Sequence, residues 1–183
     1  MDDTIFSIGH GNKTFELFMN ELLSFGIQYL IDIRSKPYSK WNPAFSQEQL
    51  KSNLKDSPVV YVYMGDVLGG LPSDRDCYTN DHVDYEKLSK KQFFIDGLNR
   101  IVTANTKKLN VALMCSESDP AMCHRSKLIG QELLKLGINM HHIIGVDKAL
   151  SQEEVMLIVT GGDGLIDLFG EVTSITSRKE YTE

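Results

Sequence analysis

Runs of β-branched and aromatic residues alternate along this chain with segments whose apolar residues recur every three or four positions, and few folds accept that alternation. The strand-like runs are Thr4–Ile8, Tyr29–Ile33, Pro58–Met64, Val111–Cys115 and Met140–Ile144. Between the first two, Phe15, Phe18, Leu22 and Phe25 share a helical face that Gly26 ends. Ser46-Gln47-Glu48-Gln49 has the form of a capping box and opens a short helix to about Lys55. Ser89 and Gln92 offer a second box inside a helical reading from about Tyr85 to Thr103. Asp119-Pro120 is a cap and first-turn pair for a helix that carries Leu128, Ile129, Leu133 and Leu136 and stops at Gly137. Ser151-Gln152-Glu153-Glu154 caps a last helix, to about Ile158. About five strands separated by helices predict an α/β, three-layer fold, a mostly parallel sheet with helices on both faces.

With 183 residues, 42% of them hydrophobic and 24% charged, the chain reads as one globular α/β domain rather than a disordered one. A net charge of −6 disfavours a broad basic surface for nucleic acid. No apolar run reaches the roughly 18–20 residues of a membrane helix. The start, Met1-Asp2-Asp3-Thr4, has no basic leader, so a cytoplasmic protein is expected. Cys77, Cys115 and Cys123 are an odd set without the look of a disulfide scaffold. The stretch from Gly65 to about Val83 reads as a long loop, functional or disordered.

Ligands of parallel sheets bind outside the carboxyl ends of the strands. That rule gathers Gly9–Asn12, Arg34–Lys36, Gly65–Gly70 and Cys115–Arg125, where the polar and special residues concentrate. Cys115 ends a buried-type strand, and Cys123-His124-Arg125 falls in the first turn of the next helix, whose free N–H groups favour thiolates and anions. Arg125 is a fork for carboxylate or phosphate. The order strand, Cys, loop, Arg, helix resembles that of thiol phosphatases and rhodaneses. Here, though, Cys115 and Arg125 stand ten positions apart, too far for a plain phosphatase loop. His10, between glycines, suits acid–base work or an anion contact, and Asn12 follows it as a contact or turn residue. Asp32 and Arg34 fall on one face of their strand, able to pair or to orient His10 and a ligand. Lys36 and Trp41 set a cation and a stacking ring in the same loop, and Gly69-Gly70 permits close approach of a ligand. His141 and His142 flank the fifth strand, one toward the core edge and one toward solvent. A metal site from Cys115, Cys123 and one histidine is conceivable, but no paired Cys-x-x-Cys of the kind zinc favours is present, and no metal or other cofactor is required.

Ser7-Ile8-Gly9-His10-Gly11-Asn12, Ile31-Asp32-Ile33-Arg34-Ser35, Asn42-Pro43-Ala44-Phe45, Leu68-Gly69-Gly70 and Cys115 through His124-Arg125-Ser126 occur in the order seen in a bacterial and archaeal family, domain of unknown function 488. The chain resembles that family over about residues 4–145, with the Cys-His-Arg-Ser element the most specific part. Family members usually carry Ser where this chain has Gly11. The resemblance implies an α/β fold and a site built from His10, Asp32, Arg34, Cys115, Cys123, His124 and Arg125. It implies no reaction, and it leaves a peripheral C-terminal extension over about 151–183.

The leading expectation is an enzyme for a small anionic, nucleotide-like or phosphorylated substrate. His10, Cys115, Cys123 and His124 are its catalytic candidates; Asn12, Asp32, Arg34, Lys36, Trp41, Gly69, Gly70 and Arg125 are its binding candidates. A noncatalytic module for a nucleotide or an unpaired base is the alternative, and a thiol redox or metal sensor a further one.

Overall fold

The computed structural model describes residues 5–162 and 176–177. Its main sheet has six strands: β1 (Ile5–Gly9), β2 (Tyr29–Asp32), β3 (Val60–Tyr63), β6 (Val111–Cys115), β7 (His141–Gly145) and β8 (Lys148–Ser151). They lie in the order β3-β2-β6-β1-β7-β8, with every pairing parallel except β7–β8. The sheet is therefore the parallel one the alternation predicts, with an antiparallel edge strand added. The extra strand follows a two-residue turn in which Asp147 takes φ +55°, and its four residues show too little alternation to read as a strand.

Burial on both faces follows from the side-chain alternation of β6. Val111 and Leu113 join one apolar cluster, while Ala112 and Met114 join the other. The second cluster is closed by Phe18 and Leu22 of α1 (Phe15–Ser24) and by Leu50 and Leu54 of α2 (Gln47–Leu54). The first is closed by Leu68 of α3 (Gly65–Leu68), Leu88 of α4 (Tyr85–Ser89), and Phe94, Leu98 and Ile101 of α5 (Gln92–Thr106). Leu128, Ile129 and Leu133 complete it, from a π-helical stretch, Arg125–Gly130, that runs into α6 (Gln131–Lys135). The last helix, α7 (Gln152–Val159), buries Val155 and Met156.

Three capping expectations meet different outcomes. Ser151 forms the full capping box with Glu154. The Ser46 hydroxyl instead accepts the Ser39 N–H, and that of Ser89 donates to the Glu86 carbonyl, so neither caps a helix. The helical reading over 85–103 is broken at Lys90-Lys91 into α4 and α5. Nor is the 65–83 stretch featureless, since it holds α3, a 3-10 turn at Arg75–Cys77, and a hairpin of β4 (Tyr78–Thr79) and β5 (His82–Val83). That hairpin meets the tail: Thr176 bridges Asp84, and the Ser177 N–H donates to the Val83 carbonyl at 3.0 Å. The apolar stretch after Gly164 lies outside the described residues. Among the described residues no helix is long and apolar enough to cross a membrane.

Candidate functional site

The parallel register sets Gly9 beside Cys115 and Asp32 beside Met114, so β1, β2 and β6 end together. A cavity of about 250 Å³ opens there. Its wall includes Arg34 and Lys36 after β2, Gly70 after α3, and Cys115, Cys123 and His124.

The two thiols converge because the chain folds back between them. Asp119 caps a 3-10 turn, Pro120–Met122, by accepting the Ala121 N–H at 2.8 Å. Cys123 therefore sits just before the helix rather than in its first turn, and its Sγ accepts the Arg125 N–H at 3.5 Å. His124 Nδ1 lies 3.6 Å from Cys123 Sγ and 3.9 Å from Cys115 Sγ. Its Nε2 is 3.2 Å from the Leu68 carbonyl, which can only accept. The proton of the neutral ring is therefore on Nε2 and Nδ1 faces the sulfurs, where it can take a thiol proton and, once charged, donate back to the thiolate. Electrostatics separates the thiols. Hydrogen bonding from Cys123, then from His124, with the charges of His124 and Arg125, holds the Cys115 thiol well below its ordinary range. Burial and then the neighbouring Cys115 sulfur push Cys123 up.

Arg125 does not line the cavity and is not the anion fork expected of it. It is fully buried, with Nη1 donating to the Glu117 carbonyl at 2.7 Å and Nη2 to that of Ser118 at 2.9 Å. The carbonyls of Cys115 and Ser116 are taken by the N–H groups of His10 and Gly11. Four successive carbonyls are thus held, and the guanidinium is a brace for the 115–118 loop. Gly9 is required beneath it, because a Cβ there would lie 1.9 Å from the Glu117 carbonyl oxygen and 2.7 Å from Arg125 Nη1.

Asp32 and Arg34 pair as a two-pronged fork, Nε to Oδ1 at 2.8 Å and Nη2 to Oδ2 at 2.6 Å. Nη2 also donates to the Phe45 carbonyl at 2.8 Å, and the Tyr61 hydroxyl donates to Asp32 at 2.8 Å. Arg34 Nη1 lies 3.3 Å from His10 Nε2, and His10 Nδ1 lies 3.0 Å from the Gly11 carbonyl. A guanidinium can only donate, so Nε2 accepts and Nδ1 carries the proton. Burial first, and then the Arg34 charge, push the His10 pKa down. His10 is stacked on Phe45 at 4.6 Å and stands outside the cavity lining. Its place is behind Arg34 as an orienting group rather than at a substrate. Of the five Arg34 donors, one Nη1 hydrogen is left without a partner among the described residues.

The remaining candidates separate by position. Lys36 is exposed at the cavity and in no ion pair among the described residues. Asn12 is on an exposed turn and Trp41 is 89% exposed, both away from the lining. The close approaches at Gly69 and Gly70 are to protein: a Cβ would meet Ser35 Oγ at 2.2 Å from Gly69 and the His124 ring at 2.8 Å from Gly70. His142 is fully buried in β7, and His141 is half-buried beside Phe6. Ser116, Glu117 and Tyr85 also line the cavity. So does Ser177, which no local pattern connects to strands a hundred residues earlier.

No curated protein and no solved structure matches the chain. A family model does match, over residues 14–131, a narrower span than the 4–145 of the resemblance. It takes in Arg34, both site cysteines, His124 and Arg125, and leaves β1 with His10 outside. The match covers well over half of the sequence, and the chain belongs to the family described as domain of unknown function DUF488.

Proposed function

We propose that the protein is an enzyme acting on an anionic, phosphorylated or nucleotide-like substrate, with Cys115 as the nucleophile. The observation that carries this reading is the cavity wall, where two sulfurs and the His124 Nδ1 lone pair meet beneath the cations Arg34 and Lys36. Cys115 gives its proton to His124 Nδ1, and its sulfur bonds to the electrophilic centre of the substrate. The bond to the leaving group breaks, and that group takes the proton back from Nδ1. Water then releases the second product from sulfur and restores the thiol. Arg34, clamped by Asp32 and steadied by His10, offers its one remaining N–H to the anion. Lys36 adds charge at the mouth of the cavity. The held carbonyls add support, because a trans peptide that turns its oxygen to one side turns the next N–H to the other.

The test is a thermal-shift screen of nucleotides, sugar phosphates and inorganic phosphate on the wild type, Lys36→Ala and Cys115→Ala. A ligand at a hundredfold excess over its Kd stabilises the native state by about 2.7 kcal/mol. The expected hit weakens in Lys36→Ala, still binds Cys115→Ala, and is turned over only by a protein with Cys115. Turnover that survives in Cys115→Ala would overturn the nucleophile. A screen without any anion hit would overturn the substrate class.

A further inference from the structure

We infer that Cys115, Cys123 and His124 form a binding site for one thiophilic cation of the zinc class, and that a bound cation and nucleophilic attack by Cys115 exclude each other. The site itself stands on donor geometry; only its consequence for chemistry rests on the enzyme reading.

The three donor atoms lie within 4.8 Å of one another. A tetrahedral zinc ion, with bonds of about 2.3 Å to sulfur and about 2.0–2.1 Å to nitrogen, separates a sulfur from a nitrogen ligand by about 3.5 Å. The sulfur–nitrogen separations here are 3.6 and 3.9 Å, and the whole set lies within 4.8 Å. Two sulfurs on one tetrahedral ion stand about 3.8 Å apart, so closure asks up to about an ångström, most of it of the two cysteine side chains. The imidazole is already in the ligating tautomer, because the Leu68 carbonyl holds Nε2–H and leaves the Nδ1 lone pair inward. That outer hydrogen bond is the usual partner of a metal-bound histidine. Two sulfurs and one imidazole select soft cations over magnesium or calcium. All three residues line the cavity, so a fourth position faces open space and would take water or an anion.

Binding exchanges protons for metal: two thiols and one Zn²⁺ give a bis-thiolate complex and two released protons. Once Cys115 Sγ is bonded to the ion, its lone pair is engaged and it cannot attack a substrate. The cation is therefore an inhibitor of the proposed reaction that occupies the reacting atom itself. Among the described residues Cys77, in the apolar core, joins no such group of ligating side chains.

The experiment uses protein stripped with a chelator, and zinc titrated against a chromogenic competitor. One equivalent is expected to bind to the wild type and to Cys77→Ala, with affinity at least tenfold weaker in His124→Ala and Cys123→Ala. The wild type alone supplies a second readout, through cobalt(II). Thiolate-to-cobalt charge transfer with intense tetrahedral visible bands is expected, whereas a weak octahedral spectrum would overturn the site whatever the variants do. Zinc should also slow alkylation of Cys115 by iodoacetamide, followed by peptide mass spectrometry. If zinc binds but leaves that rate unchanged, the exclusion is overturned. Failure of zinc to bind, beside brisk alkylation of metal-free Cys115, would sink the cation site and leave the enzyme reading standing. Tight zinc binding beside a metal-free Cys115 inert to alkylation would do the reverse.

Discussion

Two histidines, His142 within β7 and His124 at the start of the helix that follows β6, each hold Nε2 against an oxygen, yet only His124 meets open space. His142 Nε2 donates to Gln152 Oε1 at 2.8 Å, so its Nδ1 accepts the Ser7 hydroxyl at 2.6 Å. Gln152 passes the chain on to the Ser126 carbonyl at 2.9 Å. Ser7, His142 and Gln152 are all fully buried, and each polar atom in the line is matched. His124 has one matched nitrogen and one lone pair aimed at two sulfurs beside a cavity. A serine, a histidine and an amide in a row look like a hydrolase relay, but a relay without access to substrate is a structural strut. The contrast is between a saturated network, which fixes the core, and an unsaturated one, which has capacity left for chemistry.

The largest expected effect is on the open side. Cys115→Ala should lower turnover of any substrate found by the anion screen about a thousandfold or more, near 4 kcal/mol of barrier. The melting temperature should barely move. A loss of only a few-fold would show that the sulfur does no covalent work. The closed side should respond to acid instead. Burial lowers the His142 pKa to about 4 from an ordinary 6.5. The unfolded chain therefore binds the proton first, and stability is complete above pH 6.5 and falls as pH drops toward 4. The loss is about 3 kcal/mol, at 1.36 kcal/mol per pKa unit. His10, also lowered, acts in the same direction. Urea unfolding at pH 7.5, 6, 5 and 4 measures the slope, and His142→Gln should flatten it; an unchanged slope would break the assignment.

Two smaller effects sharpen the contrast. Ser7→Ala leaves a buried Nδ1 without its donor and should cost about 2 kcal/mol in urea unfolding while Cys115 alkylation keeps its rate. Gly70→Ala should act the other way. Its methyl would press on the His124 ring, lowering turnover about tenfold (about 1.4 kcal/mol) with a lesser change in stability. If both substitutions changed both readouts alike, the two networks would be one coupled unit.

The five parallel strands were legible because buried strands and amphipathic helices have different periods, and the rule about carboxyl ends brought Cys115, Arg34 and Lys36 to one place. The approach of Cys115 to Cys123 was legible only as an alternative, a redox or metal pair, since no close Cys spacing announces it. It depends on the Asp119-capped turn folding the chain back. Arg125 read as an anion fork because a sequence shows five donors and not the carbonyls that claim them. His10 was misplaced for a similar reason: its glycine neighbours suggest freedom, while Phe45 and Arg34 fix it behind the site. Ser177 had no local signal at all, because its place is set by pairing with β5 across the chain.

The π-helical stretch has a consequence for how this family can drift. An α-helix advances 100° per residue, so the wider π turn lets Cys123-His124-Arg125 keep one angular phase and Leu128, Ile129 and Leu133 another. Deleting Lys127 would restore an ordinary helix while keeping the apolar residues Leu128, Ile129 and Leu133. It would also swing the functional triplet about a quarter turn off its mark. Point changes at Leu128, Ile129 and Leu133 are thus constrained by packing, whereas changes of length are constrained by the chemistry as well.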